Sequence, residues 1–202
     1  MRLLLATLSM LLFSTLSVGV ESPDALVKRT AEDVLASVKA DKDIQSGDKQ
    51  KLFELTEEKI VPNFNFEKVS RLVLGKNWNA ATPEQKTAFQ SEFKTLLIRT
   101  YSTALSKYKD QTIQYKPLRM AEGDSIATVK TVILQPAGQP IAVDYTLERT
   151  DDAWKVFDIV IEGVSLVTNY RSQFAQEIRQ NGMDSLIKKL VDKNKANSTK
   201  AG

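Results

Sequence analysis

Leu72-Val73-Leu74-Gly75-Lys76-Asn77-Trp78-Asn79-Ala80-Ala81-Thr82-Pro83-Glu84-Gln85 reads as a helix end, a Trp-bearing loop and a helix start in one uninterrupted stretch. Gly75 suits the left-handed backbone that closes a helix, a conformation that costs other residues steric strain. Thr82 caps the free N–H groups of the next turn, Pro83 suits the first helical position, and Gln85 completes a capping box. Glu84 sits at the positive end of the helix dipole. Upstream, Phe64, Phe66, Val69, Leu72 and Val73 mark a short helix that stops at Gly75. Downstream, Phe89, Phe93, Leu96, Leu97, Tyr101, Ala104, Leu105 and Tyr108 recur at helical spacing for about seven turns. This long helix carries more aromatic and aliphatic surface than a small domain needs to close its own core. Part of that surface is expected to serve something other than the protein.

On the N-terminal side, residues 24–40 place Val27, Ala31, Val34, Leu35 and Val38 opposite Lys28, Glu32 and Lys39, a helical stripe. Residues 48–60 repeat it through Leu52, Leu55 and Ile60 until Pro62 forces the backbone out of helix. From residue 111 the period changes to two, and four strands are expected at 111–118, 125–135, 141–149 and 153–164. The connections Glu122-Gly123-Asp124, Pro136-Ala137-Gly138-Gln139-Pro140 and Thr150-Asp151-Asp152 are turn chemistry for hairpins, so the sheet is expected to be an antiparallel meander. Ile141, Val143, Tyr145 and Leu147 share one dry face. On the last strand Trp154, Val156 and Val160 are expected to oppose Phe157, Ile159 and Ile161, with both faces covered. Two helices close the chain, the first through Tyr170 and Phe174 up to Gly182 and the second through Leu186, Ile187, Leu190 and Val191. No repeat or linker divides residues 20–192, which read as a single α+β domain. Residues 193–202 read as a polar, disordered tail.

Arg2 followed by an apolar run over 3–16, with Ser17 and Gly19 as small residues before Val20, reads as a cleaved signal peptide over 1–19. The run is short for a membrane span, which takes about 20 residues, and no cysteine follows it to carry a lipid anchor. That leader holds one of the 28 basic residues and none of the 25 acidic ones, which leaves a 183-residue chain at +2. Such a balance lacks the concentrated basic patches of nucleic-acid proteins. An exported chain of this size without cysteine relies on packing instead of disulfides, which fits a periplasm. A monomer is expected.

The sequence also restricts chemistry. With no histidine and no cysteine, it lacks the usual base near neutral pH, the commonest metal ligands and any thiol nucleophile. There is no G-x-S-x-G elbow and no phosphate-cradling glycine motif. A carboxylate enzyme using Asp158 or Glu162, four residues apart on the last strand, is the alternative from another class, with solvated or ion-paired carboxylates the commoner role. A third reading is a module whose apolar face meets a partner helix. No catalytic residue, cofactor or metal is expected.

The ordered set Leu72-Val73-Leu74-Gly75, Trp78, Ala81-Thr82-Pro83-Glu84-Gln85, Phe89, Phe93, Tyr101 and Tyr108, followed by Glu162-Gly163-Val164-Ser165-Leu166 and Gly182, resembles the MlaC family. Its members are also called toluene-tolerance or Tgt-type periplasmic phospholipid-binding proteins. The resemblance covers residues 24–192. It implies helices wrapped around a curved four-stranded antiparallel sheet, similar to the nuclear transport factor 2 superfamily, enclosing an apolar cavity. It further implies a carrier of glycerophospholipid across the periplasm that maintains outer-membrane lipid asymmetry. Its partners would be an outer-membrane lipoprotein–porin complex and an inner-membrane ABC transporter with its substrate-binding ring.

Physical chemistry agrees with that role. Releasing acyl chains into water costs about 0.8 kcal/mol per CH₂, roughly 24 kcal/mol for thirty methylenes. A carrier must therefore offer a dry lining, and an unpaired charge there costs several kcal/mol. From the helices, Phe64, Val69, Leu72, Val73, Phe89, Phe93, Leu97 and Tyr101 are the expected lining. Val132, Val143, Tyr145, Leu147 and Val160 join them from the sheet, with Val164, Leu166 and Phe174 beyond it. The head group is expected to stay at the mouth. Arg71, Lys76 and Lys130 are candidates to touch its phosphate, solvated surface charge being the commoner role for each.

Overall fold

The computed structural model describes residues 20–199 apart from 109, 122, 137 and 152, so the expected signal peptide lies outside the described residues, as do positions 200–202. The first helix, α1 (Pro23–Ala40), starts on a proline and places Lys39 in its last turn. A helical turn not foreseen from the sequence, α2 (Lys42–Ser46), follows because the Asp41 carboxylate accepts from Asp43 N and Ile44 N at 2.8 and 3.3 Å. Asp48 caps α3 (Lys49–Lys59) in the same way, and Pro62 sits in a 3-10 turn (Val61–Asn63) as its missing N–H requires.

Asn65 caps α4 (Phe66–Leu74), which ends at Gly75. The Trp78 segment, expected as a loop, is the short helix α5 (Lys76–Ala80). Gly75 turns the chain sharply at φ +55° and ψ −127°, and its carbonyl then accepts from Trp78 N at 3.1 Å. A Cβ at Gly75 would meet the Arg171 guanidinium at 3.0–3.3 Å. Gly75→Ala is therefore expected to cost about 1–3 kcal/mol in urea unfolding, from backbone strain and the displaced arginine together.

The capping box is present as expected. Gln85 N donates to Thr82 Oγ1 at 3.2 Å and Thr82 N to Gln85 Oε1 at 3.1 Å, opening α6 (Pro83–Tyr101). Its α-helical part stops earlier than the apolar spacing implied, and Ser102–Lys107 continue as 3-10 helix.

The strands are β1 (Thr112–Tyr115), β2 (Ile126–Leu134), β3 (Ile141–Arg149), β4 (Trp154–Ile161) and β5 (Val164–Ser165), in one antiparallel sheet of order β1-β2-β3-β4-β5. Among the described residues the sheet thus has five strands, not four. The expected last strand folds back at Glu162 and Gly163, both at positive φ (49° and 78°), the geometry of a tight two-residue hairpin turn.

Two helices follow, α7 (Leu166–Asn181) and α8 (Met183–Thr199). The tail expected to be disordered from residue 193 is thus helical through Thr199. Asn194, only 6% exposed, holds it by donating to Glu92 O at 2.9 Å and Glu92 Oε2 at 2.8 Å on α6. This buried amide contact, with Leu186 and Leu190 packed in the helical core, holds the end of α8 despite its polar composition.

Among the described residues three apolar clusters hold these elements together. α4, α6, α7 and α8 share one built on Val73, Phe89, Phe93, Leu96, Tyr170 and Phe174. Leu26 and Val27 of α1 cover part of the sheet at Ala127, Val129, Leu147, Trp154 and Val156. Val34, Val38, Ile44, Leu52 and Leu55 join α1, α2 and α3.

Glu177 clips α7 to α8, accepting from Lys189 Nζ at 2.5 Å, Asn181 Nδ2 at 2.9 Å and Ser185 Oγ at 3.0 Å. The Lys189 contact, chiefly, holds its carboxyl below the ordinary 4.5. A carboxyl depressed in the folded state adds stability above its unfolded pKa and loses it as pH falls through the folded value. Melting temperature is expected to drop on acidification from about pH 5 to pH 3. Thermal melts of Glu177→Gln across that window should show a smaller drop.

Candidate functional site

The sheet register decides which side chains share a face. Ile113 pairs with Ile133 and Tyr115 with Thr131. Ile133 pairs in turn with Ile141, Thr131 with Val143 and Val129 with Tyr145. Across β3 and β4, Val143 pairs with Ile161 and Tyr145 with Ile159. One continuous face therefore carries isoleucines from four strands, two tyrosines, and no charged side chain at these positions.

A β-bulge fixes the β4 contribution. Leu147 pairs with Val156 but Thr146 with Asp158, so Phe157 is the extra residue and the alternation reverses across it. Trp154 and Val156 consequently lie on the same face as Ile159 and Ile161. The sequence reading, which alternated without interruption, had set them on opposite faces.

Cover over this face is uneven. Leu147 is fully buried beneath α1, and Thr131 and Val143 are 2% and 6% exposed. Around them Ile113, Ile133, Ile141, Tyr145, Ile159 and Ile161 stay half-buried. Loss of water pushes the Tyr145 hydroxyl up to about 12, and burial raises that of Tyr115 as well. α6 packs chiefly on α8, with lesser contact to α3 and α4.

The opposite face carries charged groups among its apolar ones, and these are tied down in pairs. Lys130 Nζ meets Asp144 Oδ2 at 3.3 Å, which accounts for one candidate phosphate contact. The Lys68 ammonium bonds Glu148 and lies 4.0 Å from the centre of the Phe157 ring, while Asn65 Nδ2 donates to Glu148 Oε1 at 2.7 Å. A cleft of about 420 Å³ opens beside this network, lined by Asn65, Glu67, Lys68, Arg71, Leu72 and Glu148. Another, of about 510 Å³, lies between the end of α1, α2 and the 3-10 segment after α6. Both are open to solvent, so neither is the enclosed apolar cavity expected from the sequence.

The sixteen side chains expected to line one cavity are distributed over several environments. Val143, Tyr145 and Leu147 share the apolar sheet face. Val132 and Val160 pair with Ala142 and Asp144 and so lie on the opposite one. Phe64 packs with the α1–sheet cluster, bridging to Val156. Val69, Val73, Phe89, Phe93 and Phe174 are interior to the helical cluster, with Leu97 packed at its margin. Leu72 and Leu166 are half-buried, while Tyr101 and Val164 are 37% and 57% exposed. The isoleucines at 113, 133, 141, 159 and 161 were missed. Ile133 stands three residues before Pro136 and Ile141 directly after Pro140, so their pairing is set by the strand register and not by symmetry about the turn.

Asp158 and Glu162 are both engaged in local structure. Asp158 accepts from Ser165 Oγ at 2.6 Å and Val167 N at 3.1 Å, ordering the start of α7. Glu162 is exposed and accepts from Ala142 N across the sheet edge. Among the described residues no group of three or more acidic side chains could hold a metal ion.

An uncharged apolar sheet face bordered by tyrosines is chemistry for holding an apolar ligand. A family model described as MlaC protein matches residues 28–192, and the chain belongs to the MlaC family. A solved phospholipid-binding protein of Ralstonia solanacearum, determined in complex with a phospholipid, is 40% identical with a TM-score of 0.81, over 87% of this chain and 98% of that one. A toluene tolerance protein of Pseudomonas putida is 28% identical over 181 residues, 89% of this chain and 83% of the relative. The intermembrane phospholipid transport system binding protein MlaC of Haemophilus influenzae is 24% identical over 186 residues, 91% and 87% of the two chains.

Proposed function

We propose that this chain is a periplasmic carrier that binds glycerophospholipid by its acyl chains and shuttles it between the outer and inner membranes, maintaining outer-membrane lipid asymmetry. The observation that carries the reading is the 40% identity, over nearly its full length, to a protein solved with a phospholipid. The uncharged isoleucine face supports it by supplying a surface on which chains leave water without meeting a charge. Binding, not catalysis, is the proposed activity, in a cradle of the nuclear transport factor 2 type. The proposed partners are an outer-membrane lipoprotein–porin complex and an inner-membrane ABC transporter with its substrate-binding ring. Among the described residues no helix is long and apolar enough to cross a membrane.

The energetics of the cycle constrain how such a carrier works. An empty lipid-sized void of roughly 500 Å³ would cost on the order of 12 kcal/mol at about 24 cal/mol per Å³. That rivals the whole stability of a domain, about 5–15 kcal/mol. The apolar face therefore parts from its cover as chains enter and closes as they leave, with side chains replacing lipid. Purified native protein, extracted with organic solvent and analysed by mass spectrometry, should yield phospholipid in near-stoichiometric amount. Consistent absence of lipid from natively purified protein would overturn the proposal.

A further inference from the structure

The cleft of about 510 Å³ is lined by Val38 and Lys39 of α1, by Lys42, Gln45 and Ser46 of α2, and by Ser106 and Tyr108 after α6. Its electrostatics are one-sided. Asp41 and Asp43, the carboxylates nearest in sequence, are both held by Lys51 Nζ, at 2.9 and 2.6 Å. Lys39 and Lys42 have no ion pair among the described residues. The end of α1 would ordinarily add a negative field from its last carbonyls. Gln45 removes part of it, its Nε2 donating to Val38 O at 3.1 Å and Lys39 O at 2.8 Å. Hydroxyl protons are committed elsewhere, Ser106 Oγ donating to Thr103 O at 2.9 Å. Two ammonium groups are thus the free donors of the cleft.

The chain runs from this cleft into the apolar sheet face. Tyr108 lines it and donates its hydroxyl hydrogen bond to Gln111 O, fixing the turn that leads into β1. Ile113, the first isoleucine of the row, follows within that strand. Ile113 of the apolar face stands five residues after Tyr108 of the cleft, and an amphipathic ligand spanning both is the reading proposed.

We infer that this cleft is a phosphate-oxyanion subsite, gripped by Lys39 and Lys42, which takes the glycerophosphate of a bound lipid. The assignment of the source rests on the carrier reading, and free phosphate shares the same chemistry. It differs from the candidates first drawn from the sequence, since Lys130 is paired with Asp144 and Arg71 lines the other cleft.

The test measures binding of monomeric dihexanoyl phosphatidylglycerol and, separately, of inorganic phosphate, to the wild type and to Lys39→Gln/Lys42→Gln. Both lysines are exposed, so circular dichroism melts should superpose. The lipid is expected to bind the double variant about tenfold or more weakly, from loss of charge-assisted contacts. Added salt should weaken wild-type binding and affect the double variant less. Lys193→Gln, an exposed lysine on α8, should leave affinity unchanged. Loss of lipid alone, with no phosphate binding by the wild type, assigns the cleft to the lipid head group. Parallel loss of both ligands assigns it to the oxyanion from either source. Unchanged lipid and phosphate affinities in the double variant would overturn the inference while leaving the carrier reading intact. Failure of the wild type to bind lipid would instead count against the carrier, and the phosphate arm would then decide the cleft by itself.

Discussion

Replacing Phe93 with Asp is expected to unfold this protein, not merely to strip it of lipid. Phe93 is 1% exposed and in ring contact with Phe89 at 5.4 Å, Tyr170 at 5.1 Å and Phe174 at 5.3 Å. Truncating a buried phenylalanine costs about 3–5 kcal/mol, and edge-to-face pairs add about 0.5–1.5 kcal/mol each. Burying an unpaired carboxylate there adds several kcal/mol more. The sum rivals the total stability of a domain, about 5–15 kcal/mol. Read as a lining residue, Phe93 would give a folded variant without lipid; its placement makes the variant insoluble or unfolded. Phe93→Ala, measured by urea unfolding, should retain a cooperative transition with stability lowered by about 3–5 kcal/mol. A folded Phe93→Asp with an ordinary melting temperature would show that the aromatic cluster gives way more easily than its packing implies.

The opposite behaviour is expected on the sheet. Ile141→Asp and Ile159→Asp place a carboxylate at half-buried positions of the apolar face. Without cargo the new group reaches water, so melting temperature should shift by only a few degrees. Against an acyl chain it must be desolvated at a cost of several kcal/mol, and lipid retention should fall by roughly a hundredfold. Phospholipid per protein by mass spectrometry, beside thermal melts of the same samples, checks both halves. Full lipid content in both variants would place the chains elsewhere in the fold.

Much of this architecture was written locally. Thr82-Pro83-Glu84-Gln85 fixed where α6 begins, because cap and proline act within one turn. Gly75 marked the end of α4 for the same reason, and β3 kept its expected ends. What escaped was non-local or subtle. α2 depends on one aspartate side chain, and the helical tail on the Asn194–Glu92 contact with a helix far away in sequence. The bulge opposite Thr146 and Leu147 is a pairing event between strands, invisible to the alternation of either strand alone. It moved Ile159 and Ile161 onto the face that the sequence reading had denied them.

The family motifs, the absence of histidine and cysteine, and an apolar surplus from Leu72 to Tyr101 are properties of the sequence by itself. They determined the family and argued against most catalytic chemistry. Which apolar residues close the core and which line an accessible wall was decided only by tertiary structure. Phe89, Phe93 and Phe174 spend their surface on one another, whereas the isoleucines of the sheet keep part of theirs. The physical reason is that hydrophobicity is a property of a residue, while burial depends on the partner that covers it.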